Sequence, residues 1–292
     1  MTTVSPDPYA HLYEPGTSTS FGSYAKQLWA TRHYARAEAR GRVEAGHAEN
    51  TLGRLWLLIE PVLFIGIYFF MFGVLLDGAR GLAAADFLAY LATGKITFGF
   101  MRRAVTGAAG SLSSDQALGT STFMPRAVFP LAQLFKAELA YRYEIVVMLA
   151  FVVLRGIRPG VTWLLVPFIA ILTFAFCFGA GLVLVRVISN FADLRSALPQ
   201  VMLFLMYTSG VIFPIEQFIV GRANDELLLR IMSFNPFYAF VKVQQWAVMD
   251  YTAPQMGWVV VSVLLWGLVL PVAGLAWFIR AERRFSSAIY SG

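Results

Sequence analysis

The sequence predicts an all-α, polytopic membrane protein, and three observations support this prediction. The 292 residues are 58% hydrophobic and only 14% charged, whereas soluble globular chains are about a quarter charged. Several apolar segments reach the roughly 20 residues that a helix needs to cross a bilayer. Lys and Arg residues collect mainly between alternate segments. Such a chain cannot cover its apolar surface in water, so lipid is the expected solvent.

The first 50 residues are polar and divide into two parts. Residues 1–20 are rich in Pro, Thr and Ser and predict a flexible tail. They lack the pattern of a signal peptide, so we expect the N-terminus in the cytosol. Residues 21–50 predict an amphipathic helix at the membrane interface, with an aromatic-apolar turn followed by a basic ridge. The ridge consists of Arg32, Arg36 and Arg40. The alternative is a cytosolic amphipathic helix packed on another protein.

Six apolar segments then predict six transmembrane helices within a domain of residues 51–285, the second and fifth being short. They are residues 55–76, 86–101, 134–154, 161–185, 198–213 and 256–279. With the N-terminus inside, fifteen of the 23 Lys and Arg residues fall on the cytosolic side and six on the other. The positive-inside rule therefore predicts that both termini are cytosolic.

Two connecting segments predict short helices. Residues 215–254 are too apolar for a free outer loop, and Asn235 followed by Pro236 is a typical helix start. We therefore expect two short helices within about 218–250 that dip into the outer leaflet or cover the outer mouth. On the inner side, about 111–121 predicts a short helix that a cytosolic protein can contact. Candidates for that contact are Ser113, Asp115, Leu118, Pro125 and Arg126.

Motifs for catalysis are missing from the sequence. Gly94-Lys95 is followed by Ile96 instead of the Ser or Thr of a phosphate-binding loop. The single cysteine, Cys177, excludes a thiolate metal site, and no His follows His47. We therefore expect no cofactor in this chain. Any ATP hydrolysis that drives it must belong to another chain.

The transmembrane segments contain candidates for a translocation path. Lys95 lies in the middle of the second segment, where an unpaired charge is costly. Glu138 and Arg142 are spaced to neutralise each other. For Lys95 a structural role stays open. Aromatic faces can stack on sugars, but aromatic residues are also common at lipid-facing positions. The path candidates are Lys95, Tyr68, Phe72, Phe98, Phe204 and Tyr207.

Three short motifs in this order resemble the permeases of type-2 ABC exporters, the Wzm group that exports O-antigen, teichoic acid or cell-wall galactan. They are Leu52-Gly53 with Trp56 and Glu60-Pro61, then Met124-Pro125-Arg126 with Phe129-Pro130-Leu131, and finally Phe213-Pro214 with Asn235-Pro236. The resemblance spans about residues 21–285. One departure is Ser209-Gly210, where relatives often have Ser-Pro.

The resemblance implies a homodimer in the bacterial plasma membrane, with two separate ABC ATPase subunits that bind ATP and Mg²⁺. It implies a gate helix at 21–50, a coupling helix at about 111–121 and outer gate helices at 218–250. The implied substrate is a polyprenyl-pyrophosphate-linked polysaccharide, whose pyrophosphate would meet Arg32, Arg36 and Arg40. Membrane lipids are the other expected contacts, and nucleic acid is not expected.

Three alternatives stay open at this point. A permease of the same fold could export a drug or a small lipid, for which an aliphatic path would be expected instead of an aromatic one. An ATP-independent carrier or channel would need no second chain. A membrane glycosyltransferase is the third, and the lack of a carboxylate or His constellation in the loops argues against it.

Overall fold

The computed structural model describes residues 20–47, 51–75, 84–113, 124–191 and 193–290. Every regular element within these ranges is a helix, so the predicted all-α class is confirmed. The predicted tail, apart from Ser20, lies outside the described residues. So does most of the predicted coupling helix, including Asp115 and Leu118.

The described chain forms ten α-helices, which we number in chain order. They are α1 Phe21–Ala30, α2 Arg32–His47, α3 Trp56–Tyr68, α4 Ala84–Gly110, α5 Val128–Leu154, α6 Val166–Asn190, α7 Leu194–Thr208, α8 Asp225–Phe234, α9 Pro236–Met249 and α10 Met256–Tyr290. A π-helical segment, Phe69–Leu75, extends α3. Short 3₁₀ turns lie at Gly53–Leu55, Ser111–Ser113, Val161–Leu165 and Ile215–Phe218.

Three helical segments are long and apolar enough to cross a membrane: Trp56–Leu75, Val161–Asn190 and Met256–Glu282. They coincide with the predicted first, fourth and sixth spans. The other three predicted spans fall in α4, α5 and α7, which are also helical. However, α4 and α5 carry several charged residues, and α7 has only 15 residues. The six-span count therefore stays a prediction.

Several helices end at residues other than the limits of the predicted spans, by up to nine residues. Helix α4 continues beyond residue 101 to Gly110, because its small residues Ala104 and Ala108 are buried in the core. Helix α5 starts six residues early, at Val128. The fifth segment stops being α-helical at Thr208 instead of 213, since Gly210 takes a left-handed conformation with φ of 61°.

The predicted N-terminal helix is present but divided at Thr31 into α1 and α2. Its buried side contacts other helices of this chain, chiefly α5 and α10. The predicted aromatic-apolar stripe also splits, because Tyr24 and Leu28 are buried while Phe21 and Trp29 are exposed.

Helix α4 is the centre of the bundle. It packs against α5, α6 and α9 and also contacts α3 and α7. Almost every residue from Phe87 to Met101 is buried. Lys95 is the one charged residue in this stretch, and a stretch that is apolar on nearly all sides belongs in the interior of a bundle. The side chains of α4 that are described below are therefore held by close packing.

Glycines allow α6 and α10 to approach each other closely. A Cβ on Gly179 would lie 2.5 Å from the backbone carbon and oxygen of Leu270, and a Cβ on Gly274 would lie 2.7 Å from the Gly179 oxygen. Small residues at such crossings are how membrane helices pack without a hydrophobic driving force between them.

We predict that Gly179→Ala destabilises the bundle by about 1–3 kcal/mol, because the new methyl group collides with backbone that cannot rotate away. The measurement is the temperature at which detergent-solubilised protein loses its monodisperse size-exclusion peak. Gly66→Ala is the control, since a Cβ at this helical glycine meets nothing within 4 Å. Equal behaviour of the two variants would contradict the predicted close packing.

Candidate functional site

Tyr24 and Glu282 join three segments at one end of the bundle. The Tyr24 hydroxyl donates to Glu282 Oε2 at 2.7 Å, and it accepts the backbone N–H of Ala127 at 3.3 Å. The Arg126 N–H points to Glu282 Oε1 at 3.4 Å. Helix α1, the start of α5 and the last part of α10 are thereby linked. We call this the inner end of the bundle, as the predicted topology does.

The opposite end holds an ion pair between Asp86 at the start of α4 and Arg155 after the end of α5. The predicted topology puts both residues on the outer side, and the fold brings them together there. We call this the outer end.

The sequence-predicted contacts for a cytosolic protein lie partly at the inner end. Pro125 is buried and Arg126 is half-buried beside the Tyr24–Glu282 contact. The backbone of Ser113 ends a 3₁₀ turn that follows α4. Asp115 and Leu118 lie outside the described residues.

The predicted basic ridge is present on the outside of α2, but two of its arginines are already engaged. Arg32 donates to the Trp29 carbonyl at 2.7 Å and lies 4.7 Å from the Trp29 ring centre. The Arg36 guanidinium lies 5.0 Å from the Phe135 ring centre. Arg40 is exposed.

A cavity of about 490 Å³ lies at the inner end between α2, α3, α4 and α5. Its charged lining residues are Arg42, Glu60, Arg103, Lys136 and Glu144. Within it, Arg103 Nη2 contacts Glu144 Oε2 at 2.5 Å. We call this space the inner cavity. The sequence indicated only that Glu60 and Lys136 lie near the cytosolic rim, and their meeting with Arg42 depends on how α2 packs.

The predicted Glu138–Arg142 ion pair on α5 is confirmed. Among the described residues no group of three or more His, Cys, Asp or Glu side chains is placed to hold a metal ion.

Most of the predicted path residues gather on one partly open surface. Phe64, Tyr68 and Phe72 stack along α3 and its π-helical extension, with ring centres 4.5 and 5.9 Å apart. The Lys95 ammonium lies 3.7 Å from the Phe64 ring centre and 3.7 Å from Met206 Sδ on α7. We call the three stacked rings the aromatic ridge.

Helix α7 flanks the same surface. Phe204 and Tyr207 are 66% and 43% exposed. Phe98 differs from the other path candidates, because it is fully buried and packs 5.6 Å from the Phe237 ring centre. Its aromatic side chain is part of the core of this chain, and its place on the translocation path stays a prediction.

The outer end contains a buried ionic network that the sequence did not predict. Lys242 on α9 is fully buried and pairs with Glu216 at 3.0 Å. Its ammonium also donates to the Tyr90 hydroxyl at 2.5 Å, which in turn donates to the Gly210 carbonyl at 2.6 Å. Tyr251 donates to Glu216 at 2.7 Å. Burial raises the pKa of the Tyr251 hydroxyl, and the charge of Glu216 raises it further, so this donor stays protonated.

The network holds the outer segment to the centre of the bundle. Tyr90 belongs to α4, Lys242 to α9, and Glu216 to the 3₁₀ turn after α7. Gln245 adds a hydrogen bond from its Nε2 to the Tyr90 carbonyl at 3.2 Å. The sequence contains one signal for this network: Lys242 and Glu216 are isolated, oppositely charged residues in an apolar stretch. The predicted topology includes Lys242 only as one of the cations on the outer side.

The predicted break at Asn235 and Pro236 is confirmed as a helix junction. The Asn235 side chain accepts the N–H of Phe237 at 3.0 Å and caps α9, while Pro236 occupies its first turn. Two short helices, α8 and α9, therefore meet at this point.

Comparison with known proteins adds the family context. No family model matches the chain. Two O-antigen export system permease proteins named RfbA, both from Klebsiella pneumoniae, are each 23% identical to it over 245 residues. The matched region is 83% of this chain and 90% of each relative. The chain is similar to O-antigen export permeases. The resemblance that its motifs predict is thereby confirmed.

The similarity to export permeases covers too much of the chain to rest on one shared segment. A match over 83% of the chain must include most of the ten helices. The match therefore includes residues from both ends of the bundle.

We predict that Lys242→Met and Glu216→Gln each destabilise the protein by about 3–5 kcal/mol, because each leaves one buried polar partner uncompensated. The double variant should be more stable than either single variant, since neither charge is then left alone. Thermal unfolding of the four proteins in detergent measures this.

The control for the network is the exposed Glu226–Arg230 pair on α8. Its removal should change stability by less than about 1 kcal/mol. A strictly additive loss in the Lys242 and Glu216 double variant would show that the two charges do not stabilise each other.

Proposed function

We propose that this chain is the permease subunit of an ATP-driven ABC exporter, which moves a lipid-linked polysaccharide out of the cytosol across the bacterial plasma membrane. The observation that carries the proposal is the similarity to O-antigen export permeases over 83% of the chain. Its apolar helices and the absence of catalytic motifs from its sequence agree with a transport subunit.

The proposed topology has six spans, formed by the apolar segments of α3, α4, α5, α6, α7 and α10, with both termini in the cytosol. The charge asymmetry of the sequence supports it. So do the Asp86–Arg155 pair at one end and the Tyr24–Glu282 contact at the other. Helices α8 and α9, with 10 and 14 residues, are too short to span and form a re-entrant outer gate.

Two ABC ATPase subunits supply the energy in this proposal and bind the ATP and Mg²⁺. They contact the coupling segment at about 111–121 together with Pro125 and Arg126. The hydrogen bonds among Tyr24, Ala127 and Glu282 provide a direct link from that segment to α1 and α10. A push on the segment before α5 therefore reaches the gate helix without an intervening loop.

Two copies of the chain form the path between them. The aromatic ridge and the exposed rings of Phe204 and Tyr207 offer flat apolar faces on which the CH faces of sugars can stack. Such contacts are not tied to one hydrogen-bond geometry, which suits a polymer that slides. Lys95 adds a cation between α3 and α7. The basic ridge, above all the exposed Arg40, attracts the substrate pyrophosphate to the inner surface.

Reconstitution tests the proposal. The chain is placed in proteoliposomes with and without a candidate ABC ATPase from the same genome, and ATP-dependent movement of a polyprenyl-pyrophosphate-linked glycan is measured. We expect movement only with the ATPase and ATP. Transport without an ATPase would assign the chain to carriers or channels. ATP-dependent movement of drugs or short lipids alone would assign it to small-substrate exporters.

We predict that Phe204→Leu and Tyr68→Leu slow glycan export several-fold, because each removes a stacking face worth about 1 kcal/mol, while the dimer and the ATPase contact persist. Phe168→Leu is the matched control, since Phe168 is an exposed ring on α6, away from the aromatic ridge. Initial export rates at equal protein amounts are compared. Equal slowing by all three variants would contradict the proposal that the substrate passes along the surface formed by α3 and α7.

A further inference from the structure

We propose that the inner cavity binds the head of an anionic glycolipid, in which phosphate groups are joined to sugar hydroxyls. This inference rests on the proposed function, because it makes the cavity the site where the export substrate docks before it enters the path. The basic ridge on the outside of α2 is then not the principal phosphate site.

The cations of the cavity retain donors for a phosphate. Lys136 is exposed, and within the described part of the chain it has no ion-pair partner. Arg103 directs Nη2 to Glu144, and its buried Nε has no hydrogen-bond partner among the described residues. Arg42 uses its Nε on Glu38 at 2.7 Å. An arginine has five N–H donors in all. Phosphate oxygens are strong acceptors for such groups.

The basic ridge offers less for a phosphate. Arg32 is held by the carbonyl and the ring of Trp29, and Arg36 covers Phe135. Both arginines lie on an open helix surface rather than in a cavity. Concave sites bury more of a ligand, so the same charges bind it more tightly there.

The acceptors of the cavity fit hydroxyl groups. Glu60 is exposed at the cavity wall, and Gln133 and Thr106 line the same space. A carboxylate repels a bare phosphate but accepts hydrogen bonds from sugar hydroxyls. A lining that mixes cations with carboxylates and an amide therefore fits a sugar phosphate better than a simple anion.

Size and surroundings indicate an amphiphile. The volume of about 490 Å³ falls within the range of small-molecule sites and accommodates a pyrophosphate with one sugar ring. Helix α3 leads away from the cavity with exposed apolar residues, including Leu63 and Ile67. A lipid chain can lie along this surface while its head stays in the cavity.

Direct binding tests the inference. The full chain is placed in phosphatidylcholine nanodiscs, and native mass spectrometry measures binding of undecaprenyl pyrophosphate with and without one N-acetylglucosamine. We expect Lys136→Gln to weaken binding of both probes about tenfold or more, as the loss of one charge-assisted hydrogen bond predicts. Arg142→Gln is the matched control, because it removes a cation from the same helix outside the cavity.

A second variant distinguishes binding of the sugar from binding of the phosphate groups. Glu60→Gln should tighten binding of the sugar-free probe, since it removes a repelling charge, and weaken binding of the probe that carries the sugar. If Lys136→Gln and Arg142→Gln bind both probes as the unmodified chain does, the inference is overturned. A uniform effect of Glu60→Gln on both probes would overturn the assignment to a sugar phosphate.

Two competitors identify the source of the head group. Phosphatidylglycerol and inorganic pyrophosphate are each added in excess, and we expect neither to displace the glycosylated probe. Displacement by phosphatidylglycerol assigns the cavity to ordinary membrane lipid, and displacement by pyrophosphate assigns it to a free anion. Either result overturns the inference. Failure of glycan export with intact probe binding would instead reject the proposed function and leave the glycolipid site standing.

Discussion

The outer end of this bundle depends on one buried ion pair, Lys242 with Glu216. Helices α8 and α9 are too short to cross a bilayer, so they cannot be fixed by spanning it. Helix α9 is held by its Lys242, whose ammonium pairs with Glu216 and is enclosed by Tyr90, Tyr238 and Tyr251 with ring centres about 5 Å away. A charge pair in so apolar a place contributes little net stability but strongly disfavours every arrangement that separates its partners. The pair therefore specifies where α9 lies against α4.

Helix α4 connects this constraint to the rest of the molecule. Tyr90 belongs to the outer network, Lys95 faces the aromatic ridge in the middle, and Arg103 meets Glu144 at the inner cavity. All three project from a helix whose surroundings are closely packed core. Fixed positions for these groups follow from that packing. The surfaces next to them, on α3 and α7, are exposed and free to contact a second copy or a substrate.

The sequence predicted the parts of the fold that depend on local composition. Apolar length gave the three unambiguous spans, and Asn235-Pro236 gave the junction between α8 and α9, because a cap needs only neighbouring residues. The sequence could not give the inner cavity or the Lys242–Glu216 pair. These contacts join residues from separate helices. They depend on how α2 is rotated against α5 and how α9 is rotated against α4, and residue spacing along the sequence does not determine these rotations. Helix α7 ends before the limit of the predicted fifth span, since apolar residues continue past the left-handed Gly210.

The polar groups follow an order from one end of the bundle to the other. Open cations and carboxylates line the inner cavity, a lone Lys95 beside stacked rings lies farther along, and a closed ion pair stands at the outer end. Of these three places, the last has nearly all of its charge satisfied within the chain. For the proposed substrate, a charged head would thus be best accommodated at the inner end, while the sugar that follows it would meet mainly aromatic faces. Under this proposal, recognition of the head is separate from passage of the polymer, so chains of different length would use one entry site.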